Sequence, residues 1–256
     1  MISISKALAE LETRNEAGVL CTITRTRGST PRHAASKMLV FPDGHILGTV
    51  GGGGLEQQVI TASLEVLRDG QPRLLEINMV DPARGDVGVC GGTVEVFVEP
   101  ILPKPVLVVI GAGHVGKAVA HLAHWLGFRV AVNDDRAEFC TPEAVPEADE
   151  YYPSAMADLP KYLAITAWTY LVLTTRGVDV DVPGLPALLE SPAAYLGVIG
   201  SRRRWAETRK QLLKAGMAEE KLARVHTPIG LDIRAETPEE IAVSILGQII
   251  ALRNKV

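Results

Sequence analysis

Gly111-Ala112-Gly113-His114-Val115-Gly116 places glycines at the first, third and sixth positions of a hexapeptide. It follows an apolar run, Val106 to Ile110, and precedes a helical pattern. In that setting the first glycine allows a tight turn and the second lets a phosphate approach the backbone. The third lets the helix pack close to the strand, with the helix N-terminus facing the anion. Asp134 lies 23 residues beyond Gly111, at the end of the next apolar run, where a carboxylate accepts a hydrogen bond from a ribose hydroxyl. Asp135 and Arg136 follow at once. His114 sits between the glycines, either against a ligand phosphate or as a solvated loop histidine.

Three further clusters carry possible chemistry. Gly200-Ser201-Arg202-Arg203-Arg204 follows another strand pattern, which puts it on the rim where open α/β sheets bind ligands. Its arginines suit a phosphate or a pterin-like acidic ligand, and as a plain helix start they would oppose the helix dipole. Gly51-Gly52-Gly53-Gly54 enters a helix containing Glu56, and such a run is either a hinge or a concave surface of N–H donors for an anion. Arg32 and Lys37, upstream of it, can add positive charge. Cys90-Gly91-Gly92 leaves open backbone around a sulfur, which suits a soft metal or a thiolate contact, although a lone cysteine is commonly inert packing. Cys21 and Cys140 have the setting of structural residues. His121 and His124 stand three apart on a helix without a third ligand nearby.

The elements that position these groups fall into two halves. Three prolines between Pro100 and Pro105 are expected to form a stiff connector that sustains neither a helix nor a central strand. Before it, Val19–Thr24, Arg73–Met79 and Thr93–Val98 have strand patterns. Lys37–Phe41 and His45–Gly48 flank the turn signal Pro42-Asp43-Gly44, and Leu55–Leu67 is helical. After it, strands at Val106–Ile110, Arg129–Asn133, Tyr170–Thr174 and Tyr195–Ile199 are interleaved with helical stretches, the spacing of βαβ units. Thr237, Pro238 and Glu240 make a capping box for a last helix with Ile241, Ile245, Ile249 and Leu252 as its stripe. The fold expected is α/β: an N-terminal α/β (α+β) domain over residues 1–100, a linker over 101–105, and a C-terminal Rossmann-like domain over 106–256 with a mostly parallel sheet.

Composition narrows the classes. Of 256 residues, 47% are hydrophobic and 22% charged, which argues against disorder. A net charge of −4 gives no electrostatic reason to expect nucleic acid or an anionic membrane as partner. Three scattered cysteines without a CxxC pair support no disulfide framework, and a reducing cytoplasm fits. The N-terminus has an amphipathic pattern rather than that of a signal peptide, and no apolar run approaches the roughly 20 residues of a membrane helix.

In order along the chain, these segments resemble the xanthine dehydrogenase accessory protein family (XdhC/CoxI). The matching residues are Gly28-Ser29-Thr30-Pro31-Arg32 with Lys37-Met38, Gly51-Gly52-Gly53 with Leu55-Glu56, and Cys90-Gly91-Gly92 leading into Val94–Pro100. They continue with Gly111–Val115, Asp134-Asp135-Arg136, Ile199–Arg203, His226–Ile233 and Thr237–Ala242. The resemblance implies a molybdenum cofactor (molybdopterin) chaperone without turnover of its own. Such a chaperone shields the cofactor, supports its sulfuration by a cysteine desulfurase and hands it to a xanthine dehydrogenase-type molybdenum hydroxylase. Two departures stand out: the family commonly has cysteine where this chain has Gly54, and glycine where it has Ala35. The first leaves Cys90 as the candidate metal ligand. An alternative is an NAD(P)-dependent oxidoreductase using the Gly111 loop, although no acid/base pair is evident near a nicotinamide position. A third is an interaction module that only docks on a partner. A homodimer is expected on general grounds, because two-fold pairing is the commonest assembly.

Overall fold

The computed structural model describes residues 3–79 and 91–254, and the chain divides into two units, Met1–Pro103 and Lys104–Val256. The first unit opens with α1 (Ile4–Arg14), whose N-terminus is capped by the Ser3 side chain accepting from Lys6 N–H. Strands β1 (Gly18–Arg27), β2 (Lys37–Val40) and β3 (Ile46–Gly48) follow, then α2 (Gly53–Asp69), β4 (Arg73–Asn78) and β5 (Thr93–Ile101). The sheet runs in the order β3-β2-β1-β5-β4 with every neighbouring pair antiparallel, so this unit is α+β. The Pro42-Asp43-Gly44 hairpin forms as its turn signal predicts.

Alternation builds the core of this unit. Val94, Val96 and Val98 point to one face of β5, with Cys21 and Ile23 beside them on β1, and α2 covers them with Leu55, Val59 and Val66. Ala62, Leu64 and Leu67 of the same helix are only half-buried, and Ser63 is buried. Its hydroxyl is satisfied by Val59 O at 2.7 Å and lies 3.3 Å from Cys21 Sγ. The connector begins later than its prolines suggest. Strand β5 continues through Pro100, opposite Val19, to Ile101. Proline is tolerated there because the β4 pairing ends at Arg73, opposite Val98, leaving β5 beyond that point with one neighbour.

The second unit comprises β6 (Val106–Ile110), α3 (His114–Trp125), β7 (Arg129–Asn133), β8 (Glu150–Tyr152), α4 (Leu159–Tyr162) and β9 (Thr169–Leu173). The chain then forms α5 (Val178–Leu189), β10 (Tyr195–Val198), α6 (Arg202–Lys214), α7 (Glu219–Leu222), β11 (Val225–His226) and α8 (Pro238–Arg253). Its sheet has the order β11-β10-β9-β6-β7-β8, and all its pairs are parallel. The chain builds outward from β6 through β7 and β8, then returns to place β9 on the other side of β6. That reversal opens a crevice at the carboxyl ends of β6 and β9.

All five residues of β6 are buried because both faces of the sheet are covered. Leu107 and Val109 pack toward Val119 and Ala123 of α3 and Ile245 and Ile249 of α8. Val106, Val108 and Ile110 pack on the opposite side with Leu185 and Leu188 of α5 and Leu212 of α6. The capping box on α8 forms in full, with Thr237 Oγ1 accepting from Glu240 N–H and the Glu240 carboxylate accepting from Thr237 N–H. Among the described residues no helix is long and apolar enough to cross a membrane.

Candidate functional site

Gly111 ends β6, and Gly116 sits in the first turn of α3. A Cβ at Gly116 would stand 2.1 Å from Gly111 O and 2.9 Å from Thr174 Oγ1, so helix and strand approach as closely as glycine permits. Thr174 Oγ1 donates to Gly111 O at 2.5 Å, tying the turn to the end of β9. Gly113 is different: a Cβ there would meet nothing within 4 Å. It caps α3 without a side-chain hydrogen bond, so the approach to the helix start is open.

Beside this turn a cavity of about 170 Å³ lies at the carboxyl ends of β6, β7 and β9. Met156, Val180 and Pro183 give it apolar wall; Asp134, Asp135, Asp179, Arg136 and Arg176 give it charge. The structure thus brings Gly111, Asp134, Asp135 and Arg136 together as their positions predict. His114 goes elsewhere. It is exposed and lines a separate groove between α3 and α8 with Lys117 and His121.

Asp134 does not have the free carboxylate that ribose recognition needs. It is 3% exposed and accepts from Ala112 N–H at 2.9 Å, Arg136 N–H at 3.0 Å, and Arg136 Nε and Nη2 at 2.9 Å each. Its role is to clamp the glycine turn to the end of β7. Arg136 in turn stacks on Phe139, with its guanidinium carbon 3.9 Å from the ring centroid. Asp135 and Asp179 are the exposed acids of the lining, and it is Asp135 that pairs. Its two oxygens accept from Arg176 Nη1 at 2.6 Å and Nη2 at 2.7 Å, and this contact holds the Asp135 carboxyl down at about 2. Arg176 carried no motif of its own. The rule that singled out Gly111 and Gly200, a polar turn at the carboxyl end of a parallel strand, also applies to Thr174-Thr175-Arg176.

The basic turn after β10 serves the scaffold. Gly200 leads into α6, and Ser201 Oγ caps that helix by accepting from Arg204 N–H at 3.2 Å. Arg202 and Arg203 are exposed, and neither they nor Gly200 and Ser201 line the cavity. Arg204, grouped with them as a phosphate ligand, is committed to fully buried Asp181 through Nε at 3.1 Å and Nη2 at 2.7 Å. It also donates to Thr175 O at 2.9 Å and Thr175 Oγ1 at 2.7 Å, so it fixes the residue next to Arg176.

In the first unit three glycine turns meet. A Cβ at Gly92 would lie 2.3 Å from Ser29 O and 2.7 Å from Arg27 O, so the Gly91-Gly92 turn rests on the Gly28 turn with no room for a side chain. A Cβ at Gly51 would lie 2.6 Å from Pro31 Cγ, which brings in the third turn. Gly52 caps α2, while Gly53 and Gly54 start it and are exposed. The anion expected at this helix entry is supplied from within: Glu56 accepts from Thr49 Oγ1 and from the backbone N–H groups of Val50, Gly51 and Gly52. Burial works to raise the Glu56 carboxyl, but these hydrogen bonds outweigh it and hold it below the usual value. Arg32 is exposed; Lys37 Nζ donates to Thr22 Oγ1 at 3.0 Å.

Cys90, the candidate metal ligand, lies outside the described residues. Cys21 and Cys140 are buried, and burial pushes the Cys21 thiol up to about 11. Among the described residues no group of three or more His, Cys, Asp or Glu is placed to hold a metal ion.

A parallel sheet reversing between β6 and β9, with a glycine turn and a charged cleft at that point, defines a protein with a Rossmann-type domain. Residues 107–249 match the XdhC Rossmann domain, and residues 11–78 match the XdhC and CoxI family. The chain belongs to the XdhC and CoxI family. It is similar to the uncharacterized protein YqeB of Escherichia coli K12, with 40% identity over 99% of this chain and 47% of that protein. It resembles a probable xanthine dehydrogenase subunit of Bacillus subtilis 168, with 32% identity over 64% of this chain and 48% of that protein. It is also similar to the molybdenum cofactor insertion chaperone PaoD of E. coli K12, at 24% identity over 93% of this chain and 84% of PaoD. The chain thus spans about half the length of the first two relatives. A crystal structure of a xanthine dehydrogenase from Bacillus halodurans shares the fold, with a TM-score of 0.53 and 24% identity, covering 100% of this chain and 97% of that one.

Proposed function

We propose that this chain is an accessory protein of a xanthine dehydrogenase-type molybdenum hydroxylase, which holds the molybdenum cofactor and hands it to the recipient enzyme. The observation that carries the reading is the meeting of the Gly28, Gly51 and Gly92 turns in the first unit. Membership of the family supports it, as do the names of PaoD and the B. subtilis relative.

The residues fit the organic part of such a guest better than its metal. Exposed Arg32 and half-committed Lys37 supply cations for phosphate and pterin oxygens. Gly52, Gly53, Gly54 and Gly91 offer backbone that a planar group can approach, whereas Gly92 is buried against the Gly28 turn and serves to hold the turns together. Glu56 orders the turn. Gly54 puts no thiol at α2, and the buried Cys21 and Cys140 offer none to a thiophilic metal, so that role falls to Cys90. When bound, the cofactor supplies the molybdenum and dithiolene chemistry; the chain's residues bind, orient and shield it. Exchange of an oxo for a sulfido ligand by a cysteine desulfurase, a homodimeric state and a cytoplasmic setting complete the proposal.

The cleft of the second unit takes a nucleotide, NAD(P) or another, in this reading. The crevice position and the open Gly113 support that assignment. Hydride transfer ranks behind carriage, because the relatives' names support carriage and two of the three carboxylates lining the cleft, Asp134 and Asp135, are held by arginines.

The test is retention. The purified chain is mixed with molybdenum cofactor, desalted, and assayed for molybdenum by mass spectrometry and for pterin by fluorescence after oxidation. Stoichiometric retention that falls in an Arg32→Ala/Lys37→Ala variant, with activation of a cofactor-free hydroxylase by the loaded wild type, is expected. No retained pterin refutes the carrier role.

A further inference from the structure

The charged groups at the second unit's cleft are not equally committed. Asp134 is buried under four donors, and Arg136 is held by it and stacked on Phe139. Arg204 is tied to buried Asp181 and to Thr175. Breaking any of these contacts strands a charge or a polar group away from water.

The pair of Asp135 and Arg176 is different. Its side chains are 40% and 45% exposed, so either can leave the other and meet solvent. Asp135 follows β7 and Arg176 follows β9, and β6 lies between those two strands. The pair therefore reaches across the carboxyl end of β6, at the crevice where open α/β sheets bind ligands. The cavity beside it, about 170 Å³, is smaller than the several hundred Å³ typical of a whole-ligand site. It holds one ring-sized part of a ligand, and the remainder must extend beyond the cavity, whose lining includes the part-exposed Arg176. The backbone that carries Arg176 is anchored through Thr175, so its guanidinium can change partner without the loop moving.

We infer that Arg176 is the phosphate-binding cation of this cleft, masked by Asp135, and that the phosphate of an entering nucleotide displaces the Asp135 carboxylate from the guanidinium. A planar guanidinium serves either oxyanion with two parallel hydrogen bonds, so the exchange replaces one bidentate partner by another. The inference rests on the nucleotide reading of the cleft.

The full chain and its Asp135→Asn and Arg176→Gln variants are titrated calorimetrically with ADP, NAD+ and adenosine, after a thermal melt shows that each variant is folded. Removing the competing carboxylate is expected to tighten ADP and NAD+ binding about threefold or more, as loss of an exposed ion pair allows. Arg176→Gln is expected to weaken both about tenfold, the scale of one charge-assisted contact. The double variant loses the gain of Asp135→Asn, and adenosine, lacking phosphate, distinguishes none of the proteins. Binding by Asp135→Asn alone, with wild type below detection, also supports the mask. If wild type binds ADP and Arg176→Gln binds it equally well, or if Asp135→Asn binds no tighter, the inference falls while the nucleotide reading stands. If no protein binds either nucleotide, both fall.

Discussion

Replacing Arg204 by methionine keeps much of the side-chain stem and removes the guanidinium from a fully buried carboxylate. Asp181 is 0% exposed and the Arg204 side chain 18%, so water has little access to the site. Four hydrogen bonds go with the guanidinium, two to Asp181 and two to Thr175, and Asp181 keeps only Thr175 Oγ1 at 2.5 Å. Removing one partner of a buried ion pair costs about 3–5 kcal/mol; the partial exposure of Arg204 argues for the lower end, about 3 kcal/mol. For a unit of this size about 2–4 °C accompanies each kcal/mol, so the melting temperature should fall by roughly 6–12 °C. Tryptophan fluorescence is the assay of choice, because Trp125, Trp168 and Trp205 all lie in the second unit and follow its unfolding alone. Arg204→Met/Asp181→Leu should recover most of the loss, since an apolar pair no longer leaves a buried charge. A fall below about 2 °C in the single variant, or a double variant no better than the single, would refute the reasoning.

Ala35 holds φ +70°, a left-handed conformation that costs alanine about 1–2 kcal/mol. Ala35→Gly should therefore raise the unfolding free energy by about 0.5–1 kcal/mol after the greater freedom of unfolded glycine is counted, seen as a higher urea midpoint by far-UV circular dichroism; an unchanged or lower midpoint would contradict it. At pH 8 the thiols of Cys21 and Cys140 should resist a disulfide-exchange reagent until the protein unfolds, because burial raises both. Peptide mapping that finds Cys21 modified in the folded protein within minutes would count against this. Asp135 has a depressed carboxyl, so its pairing stabilises the fold above the ordinary carboxylate value near 4 and loses that effect as pH falls toward about 2. Solvent exposure limits the contribution to less than about 1 kcal/mol. The stability difference between wild type and Asp135→Asn should shrink from pH 6 to pH 3, and an equal difference at both would exclude the assignment.

What could be read directly from the amino-acid order is local in origin. The hydrophobic run Val106–Ile110, the hexapeptide behind it and the Thr237–Glu240 box each state their structure within a few residues, because strand burial, glycine turns and capping act at that range. The ordered glycine turns likewise pointed to the family. Helix α5 was hidden by Pro183 and Pro186, residues that normally end a helix; packing of Leu185 and Leu188 under the sheet overrides them. Pro100 was misplaced for a similar reason, since its tolerance depends on where β4 ends.

The roles of charged side chains were decided only by tertiary structure. Asp134 and Asp135 are adjacent and chemically identical, yet one is walled in by the Ala112 N–H and Arg136 while the other meets Arg176, 41 residues away. Arg204 looked like its neighbours Arg202 and Arg203 until α5 placed Asp181 against it. Glu56 turned back onto the very glycines expected to receive a foreign anion. A carboxylate or guanidinium takes its function from the partner that desolvates and orients it, and that partner is chosen by chain topology rather than by sequence neighbours.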